Sequence, residues 1–183
     1  MKHYINIKVL PDPEFTETIL MNALYAKCHR ILGEVGEGDV GVSFPNHKKT
    51  LGAVLRLHGT EAKLNKIMAE NWLKGLGDYT QVSTVLTAPD SGQHRTVAHV
   101  RKKSPHNKRQ RVIKKGWLTE QEAYEKFKDS DQVLLKWPYA QIKSLSTQSN
   151  MRVFIKHGDI VDVSVTGQFS TYGLSKTATI PWF

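Results

Sequence analysis

Four side chains in this 183-residue sequence have the types that acid–base chemistry needs without a cofactor: His29, Ser144, Ser146 and Tyr172. Imidazole is the natural base, because its unperturbed pKa of about 6.5 lets it take a proton near neutrality. Eight histidines leave the choice open on chemistry alone. His29 has one geometric distinction: about 180° of helical turn separates it from Leu20, so it points away from the apolar stripe of its helix. An outward histidine of this kind is ordinarily an inert surface residue. Ser144 and Ser146 alternate on a strand pattern and point the same way, which everyday cross-strand hydrogen bonding also explains. Tyr172 precedes a flexible Gly173; with a reference pKa of about 10 its phenol is a hydrogen-bond donor and a poor base, and tyrosine most often serves a core or an interface.

Metal-dependent chemistry is poorly served. Asp129 with Asp131, and Asp159 with Asp162, read as turn and strand-edge residues, whereas a two-metal site needs several oxygens converging on ions ~3.5–4 Å apart. Walker, His-Glu-x-x-His and Gly-x-Ser-x-Gly motifs are absent from the sequence. The single cysteine, Cys28, can form neither an internal disulfide nor a paired-cysteine metal site. The expectation is a protein with no metal and no cofactor.

The charge says what such residues could act on. Between Ser91 and Thr119 there is no Asp or Glu, and nine cations stand there: Arg95, Arg101, Lys102, Lys103, Lys108, Arg109, Arg111, Lys114 and Lys115. The remaining 17 Lys and Arg balance all 17 Asp and Glu, so the net charge of +9 belongs to one segment. A block of this kind fits a polyanion, because neutralising phosphates releases counterions; a solvated basic loop is the plainer alternative. Ser104-Pro105 reads as an N-cap followed by proline at the first helical position, and Gly116 as a stop, giving a basic helix over about 104–115. Lys108, Arg111 and Lys115 fall on one stripe with Val112 beside it. No Trp/Phe/Leu face suits this helix to a membrane, and no stretch reaches the ~18 apolar residues of a span. The opening Met1-Lys2-His3 lacks a signal-peptide core, so a cytoplasmic location is expected.

These residues need a scaffold. Ile5, Ile7 and Val9 alternate in a first strand, and Leu20, Leu24, Cys28 and Ile31 define a helix over Thr16–Gly33. Asp39–Pro45 and Gly52–Leu57 read as strands, Thr60–Leu76 as a second helix and Tyr79–Thr87 as a fourth strand. The order is β-α-β-β-α-β, the ferredoxin-like arrangement common among RNA-binding modules. Beyond the basic segment, Thr119–Glu122 matches a capping box opening a helix to about Phe127. Strands are expected at Ile142–Ser146, Met151–His157, Ile160–Val165 and Phe169–Tyr172.

His3-Tyr4 with Pro11-Asp12-Pro13-Glu14-Phe15, Lys27-Cys28-His29, Gly41-Val42-Ser43-Phe44-Pro45, Phe154-Ile155-Lys156-His157-Gly158, Tyr172-Gly173-Leu174-Ser175-Lys176 and Pro181-Trp182-Phe183 run through the chain in order. Together they resemble the type I-F CRISPR repeat-processing endoribonuclease family. The resemblance implies an α+β protein: a ferredoxin-like domain over residues 1–94 carrying the catalytic histidine, and an irregular C-terminal RNA-recognition domain over 95–183. It implies binding of the CRISPR repeat stem-loop, cleavage at its base by metal-independent attack of a 2′-hydroxyl, and retention of the hairpin with other subunits of a surveillance complex.

On that resemblance His29 is the proton-transfer group, Ser144 holds the nucleophilic ribose, Tyr172 orients His29 or the phosphate, and Ser146 supports. Arg111, Lys114 and Lys115 take positions that line the RNA major groove, flanked by Lys102, Lys103, Lys108 and Arg109. Two departures concern recognition. His99-Val100-Arg101 replaces a base-reading Arg-x-Gln, leaving Arg101 able to grip a guanine edge. Met151 replaces an aromatic platform, so stacking there is weaker. A hairpin-binding module that does not cut, and a duplex-DNA binder, are the competing readings.

Overall fold

The computed structural model describes residues 1–90, 92–101, 104–131, 135–143 and 149–183. The chain is α+β, with two antiparallel sheets and four α-helices among the described residues. Two compact units are present: residues 1–99 with 137–183, and residues 100–136. These differ from a division at 94/95, because the strands after the basic segment share one core with those of the first half.

In the larger unit the expected β-α-β-β-α-β order is realised as β1 (His3–Val9), α1 (Glu17–Val35), β2 (Gly41–Ser43), β3 (Val54–Gly59), α2 (Glu61–Ala69) and β4 (Thr80–Val82), with a short β5 (Leu86–Thr87) added. The sheet runs β2-β3-β1-β4, with β5 also on β1. Period-two alternation sends Ile5, Ile7 and Val9 inward, against Leu20, Leu24, Cys28 and Ile31 from α1. Thr16 caps α1 by accepting from the Ile19 N–H. α2 is shorter than expected: Glu70 is extended at ψ 139°, and Trp72 and Leu76 are buried from turns instead of from a continuing helix.

The second sheet has the order β7-β8-β6-β9, from β6 (His94–Val100), β7 (Tyr139–Lys143), β8 (Asn150–His157) and β9 (Ser175–Pro181). Two expected strands are corrected. Ile160–Val165 forms no named strand: Val161 makes an isolated bridge to His94, Val165 O accepts from Thr179 N–H, and Val163 is 73% exposed. Phe169–Tyr172 enters a turn closed by Gly173 N–H to Ser170 O at 2.7 Å, and the strand comes after it, as β9. The Pro181-Trp182-Phe183 terminus is clamped by two cations. Arg56 donates to Phe183 O at 3.3 Å and lies over the Tyr4 and Phe183 rings, while Arg95 lies over Trp182 and donates to Gly158 O.

Two histidines are held neutral inside this unit. Burial pushes His58 down to about 3, helped by Arg56, and His58 shares a 2.8 Å hydrogen bond with Ser43. Burial likewise pushes His157 down to about 3, with His47 and Arg95 adding to the effect; its Nε2 accepts from Phe44 N–H and its ring stacks on His47 at 3.7 Å. Both shifts start from an ordinary 6.5, so unfolding takes up protons below that pH, and stability falls as pH drops from 6.5 toward 3. Between pH 7 and 5, above the carboxylate range, each should cost on the order of 2 kcal/mol. Thermal melts should show Tm falling across that window, and less steeply for His157→Gln, whose amide oxygen can accept from Phe44 N–H. A flat wild-type Tm would contradict the assignment.

Candidate active site

His29 sits in the fourth turn of α1 and, half-buried, meets the turn at 170–174. Its Nδ1 is 3.1 Å from the carbonyl oxygen of Thr171. A carbonyl can only accept, so Nδ1 carries the proton and the lone pair of the neutral ring is on Nε2. The Tyr172 ring lies flat on the imidazole, with centroids 3.8 Å apart and planes 2° apart. His99, at the end of β6, meets the Tyr172 ring edge-to-face at 5.8 Å. One imidazole with an assigned tautomer, one phenol and a second imidazole thus share a single place.

The turn itself is held from three directions. Tyr25, one helical turn before His29 and so on the same side of α1, donates its hydroxyl to Tyr172 O at 2.9 Å. Burial raises the Tyr25 phenol well above its usual value, so it stays a neutral donor. Val42 N–H donates to Gly173 O at 2.7 Å, and Ser170 N–H to Leu174 O at 3.0 Å. Gly173 has φ +67°, and a Cβ there would overlap the Val42 side chain, so only glycine passes. Tyr25 was not visible as a site residue from sequence, since an aromatic at helical spacing reads as core.

Ser144, Ser146, Lys102 and Lys103 lie outside the described residues. Met151 is half-buried on β8 and packs against the core. No group of three or more His, Cys, Asp or Glu that could hold a metal ion occurs among the described residues. A cavity of about 510 Å³ lies away from His29, lined by Lys2, Gln93, His94, Phe169 and Thr179 among others.

The smaller unit carries the basic helix, α3 (Pro105–Lys114), capped by Ser104, which accepts from Asn107 N–H at 3.2 Å. It ends at Gly116, φ +66°, with Trp117 N–H bonded to Val112 O. Arg111, Lys114 and Lys115 are exposed. Arg109 is corrected from a binding residue to an internal one: it is 4% exposed, donates to Phe127 O and to Asp129 Oδ1 at 2.7 Å, and lies over Tyr124. Lys108 is half-buried, 5.7 Å from the Phe127 ring. The capping box at Thr119 and Glu122 opens α4 (Glu120–Lys126) as expected. Trp117, 63% exposed beneath Lys115, is a further surface aromatic that the charge count overlooked. Arg101 is exposed.

The sequence model described as "CRISPR-associated protein (Cas_Csy4)" matches residues 4–183. The chain belongs to the Csy4 family. The CRISPR-associated endonuclease Cas6/Csy4 of Escherichia coli (strain UTI89 / UPEC) is 49% identical to it over 184 residues, covering all of both chains. The protein of the same description from Pseudomonas aeruginosa (strain UCBPP-PA14) is 36% identical over 187 residues, again covering both completely. As a Csy4-family chain it has no described helix long and apolar enough to cross a membrane.

The turn geometry makes a stability prediction. Tyr25→Phe keeps the packing and loses one hydrogen bond, which should cost about 1 kcal/mol. Gly173→Ala meets both strain and overlap, and should cost roughly 2–4 kcal/mol. Urea unfolding checks the ranking; equal losses, or a silent Gly173→Ala, would contradict this account of the turn.

Proposed function

We propose that this chain is a CRISPR repeat endoribonuclease that binds the repeat stem-loop and cleaves at its base without a metal. The observation that carries the reading is the 3.1 Å contact of His29 Nδ1 with Thr171 O, which assigns the proton to Nδ1 and leaves Nε2 as a proton acceptor at the surface. The 2′-hydroxyl upstream of the break gives its proton to that nitrogen and attacks phosphorus; the bond to the 5′-oxygen breaks, leaving a 2′,3′-cyclic phosphate and a 5′-hydroxyl. Tyr172, stacked on the imidazole, fixes the direction of its lone pair. Ser144 holds the attacking ribose and Ser146 supports it. The relatives' description as CRISPR-associated endonucleases favours cutting over binding alone.

Arg111, Lys114 and Lys115 bind phosphates of the stem. Lysine keeps the charge but lacks the bidentate fork, so affinity is kept better than geometry. Arg101 reads a guanine edge, and Met151 stands under the terminal base pair. The cleaved hairpin stays bound and carries the protein into a surveillance complex.

The deciding assay is single-turnover cleavage of the host's repeat hairpin in EDTA. Wild type should cut, while His29→Ala should bind equally well and lose at least ~100-fold in rate. Cleavage that EDTA stops and magnesium restores would overturn the metal-free chemistry; binding without cutting under every condition would favour a hairpin-holding module.

Charge is tested separately. Arg111→Ala should reduce the slope of log affinity against log salt by about 0.7–0.9, the effect of one phosphate contact, without lowering Tm. Arg109→Ala should destabilise the unit at 100–136, read as faster proteolysis there. A salt slope lost from Arg109→Ala and kept in Arg111→Ala would reverse these assignments.

A further inference from the structure

The outward face of the strand pair β7 and β8 differs from the solvent side of an ordinary sheet. Alternation buries Ala140, Ile142, Val153 and Ile155. The residues between them point the other way, and three aromatic side chains stand on that side. Tyr139 is 37% exposed and lies directly across from Phe154, with ring centroids 5.3 Å apart. Trp137, two residues before Tyr139, is 40% exposed. A solvated strand face ordinarily carries polar side chains, so rings in these positions need an occupant. Met151, opposite Ile142, belongs to the other face, so this surface is separate from the place given to Met151 above.

Each exposed ring has a cation beside it. Arg152 lies over Tyr139 at 5.0 Å, and Lys156 over Trp137 at 5.3 Å. Both cations are exposed, as is Lys143 on the same face, and no Asp or Glu occurs in residues 136–143 or 150–156. Charges of one sign fit a polyanion, and open rings fit unpaired bases, whose faces are free to stack. A base-paired stem offers no such faces along its length. Position ties the surface to the candidate active site. Gln141 N–H donates to Asn22 Oδ1 at 2.9 Å, and Asn22 precedes His29 by seven residues, two turns or about 10 Å along one side of α1. Tyr139 shares a small cavity with Glu17, Thr18 and Asn22, so β7 advances along α1 toward His29.

We propose that this face binds unpaired RNA adjoining the cleaved stem, with bases stacked on Trp137 and Tyr139 and phosphates held by Arg152 and Lys156. The proposal rests on the reading of the chain as a repeat endoribonuclease and adds a second RNA surface to it. Two single strands leave the base of a stem, one on each side, and both carry this chemistry. Stacking accepts any base, so the surface adds affinity and holds the strand near the break without adding sequence preference.

The test measures binding by the full chain, in EDTA, to a repeat hairpin with a 2′-deoxy nucleotide just upstream of the break. The hairpin is bare, or extended by unpaired adenosines on its 5′ side or its 3′ side. Wild type should bind at least one extended RNA about tenfold tighter than the bare hairpin, and the extension that gains identifies the strand. Trp137→Ala with Tyr139→Ala should lose that gain and keep the affinity for the bare hairpin. Arg152→Gln with Lys156→Gln, at two exposed positions, should lower the salt slope for the extended RNA by about 1.4, two single-strand phosphate contacts, without moving Tm. Equal wild-type affinity for bare and extended hairpins would overturn the proposal and leave the face to a protein partner. A full gain in either double variant would overturn it too. Failure to bind the hairpin, with an adenosine oligonucleotide still held through Trp137 and Tyr139, would overturn the repeat reading and leave this surface standing.

Discussion

Two consecutive carbonyl oxygens, those of Thr171 and Tyr172, are captured by side chains one turn apart on α1, the first by His29 Nδ1 and the second by the Tyr25 hydroxyl. Free imidazole in water favours the opposite tautomer, so the carbonyl of Thr171 is what places the lone pair of this helix-surface histidine on Nε2. The turn can present that oxygen only because Gly173 accepts a positive φ against Val42. A long-range contact, between residues 142 apart in the chain, thus sets the protonation geometry of the candidate site. Its support is built into the core: β2 supplies Val42, α1 supplies Tyr25, and β9 departs directly from the turn.

The charge of the chain separates into two kinds of work. Arg56 and Arg95 hold the C-terminal aromatic residues, and Arg109 ties α3 to the segment after α4. Each has its guanidinium over an aromatic ring, where planar, weakly hydrated cations are least costly to bury. Arg111, Lys114 and Lys115 remain in solvent, on the last turn of α3 and just beyond it. Cations there also face the negative end of the helix dipole. A run that is uniform in sequence is therefore divided by burial into scaffold and surface.

Much of this was legible because its signals are local. The apolar spacing of Leu20, Leu24, Cys28 and Ile31 marked α1 and put His29 outside the core stripe, and Ser104-Pro105, Gly116 and the Thr119–Glu122 box marked helix ends that the structure reproduces. What failed was non-local. β6 lies within a polar, basic stretch and buries only Val97, so no alternation announced it. Ile160–Val165 alternates like a strand but leaves Ile160, Val161, Val163 and Val165 exposed, with single contacts to His94 and Thr179 in place of a ladder. Arg109 is indistinguishable from its neighbours until α4 folds over it, and Tyr25 looks like any core aromatic until its hydroxyl meets a carbonyl 147 residues away.

The central claim is that the fold fixes His29 as an Nδ1–H imidazole, and long-range ¹H–¹⁵N NMR of the histidine rings reads this directly in the uncomplexed protein. At a pH where the ring is neutral, the account predicts a protonated Nδ1 and an unprotonated Nε2 for His29. A dominant Nε2–H form would mean that Thr171 O does not hold the ring, and that the lone pair faces the turn instead of solvent.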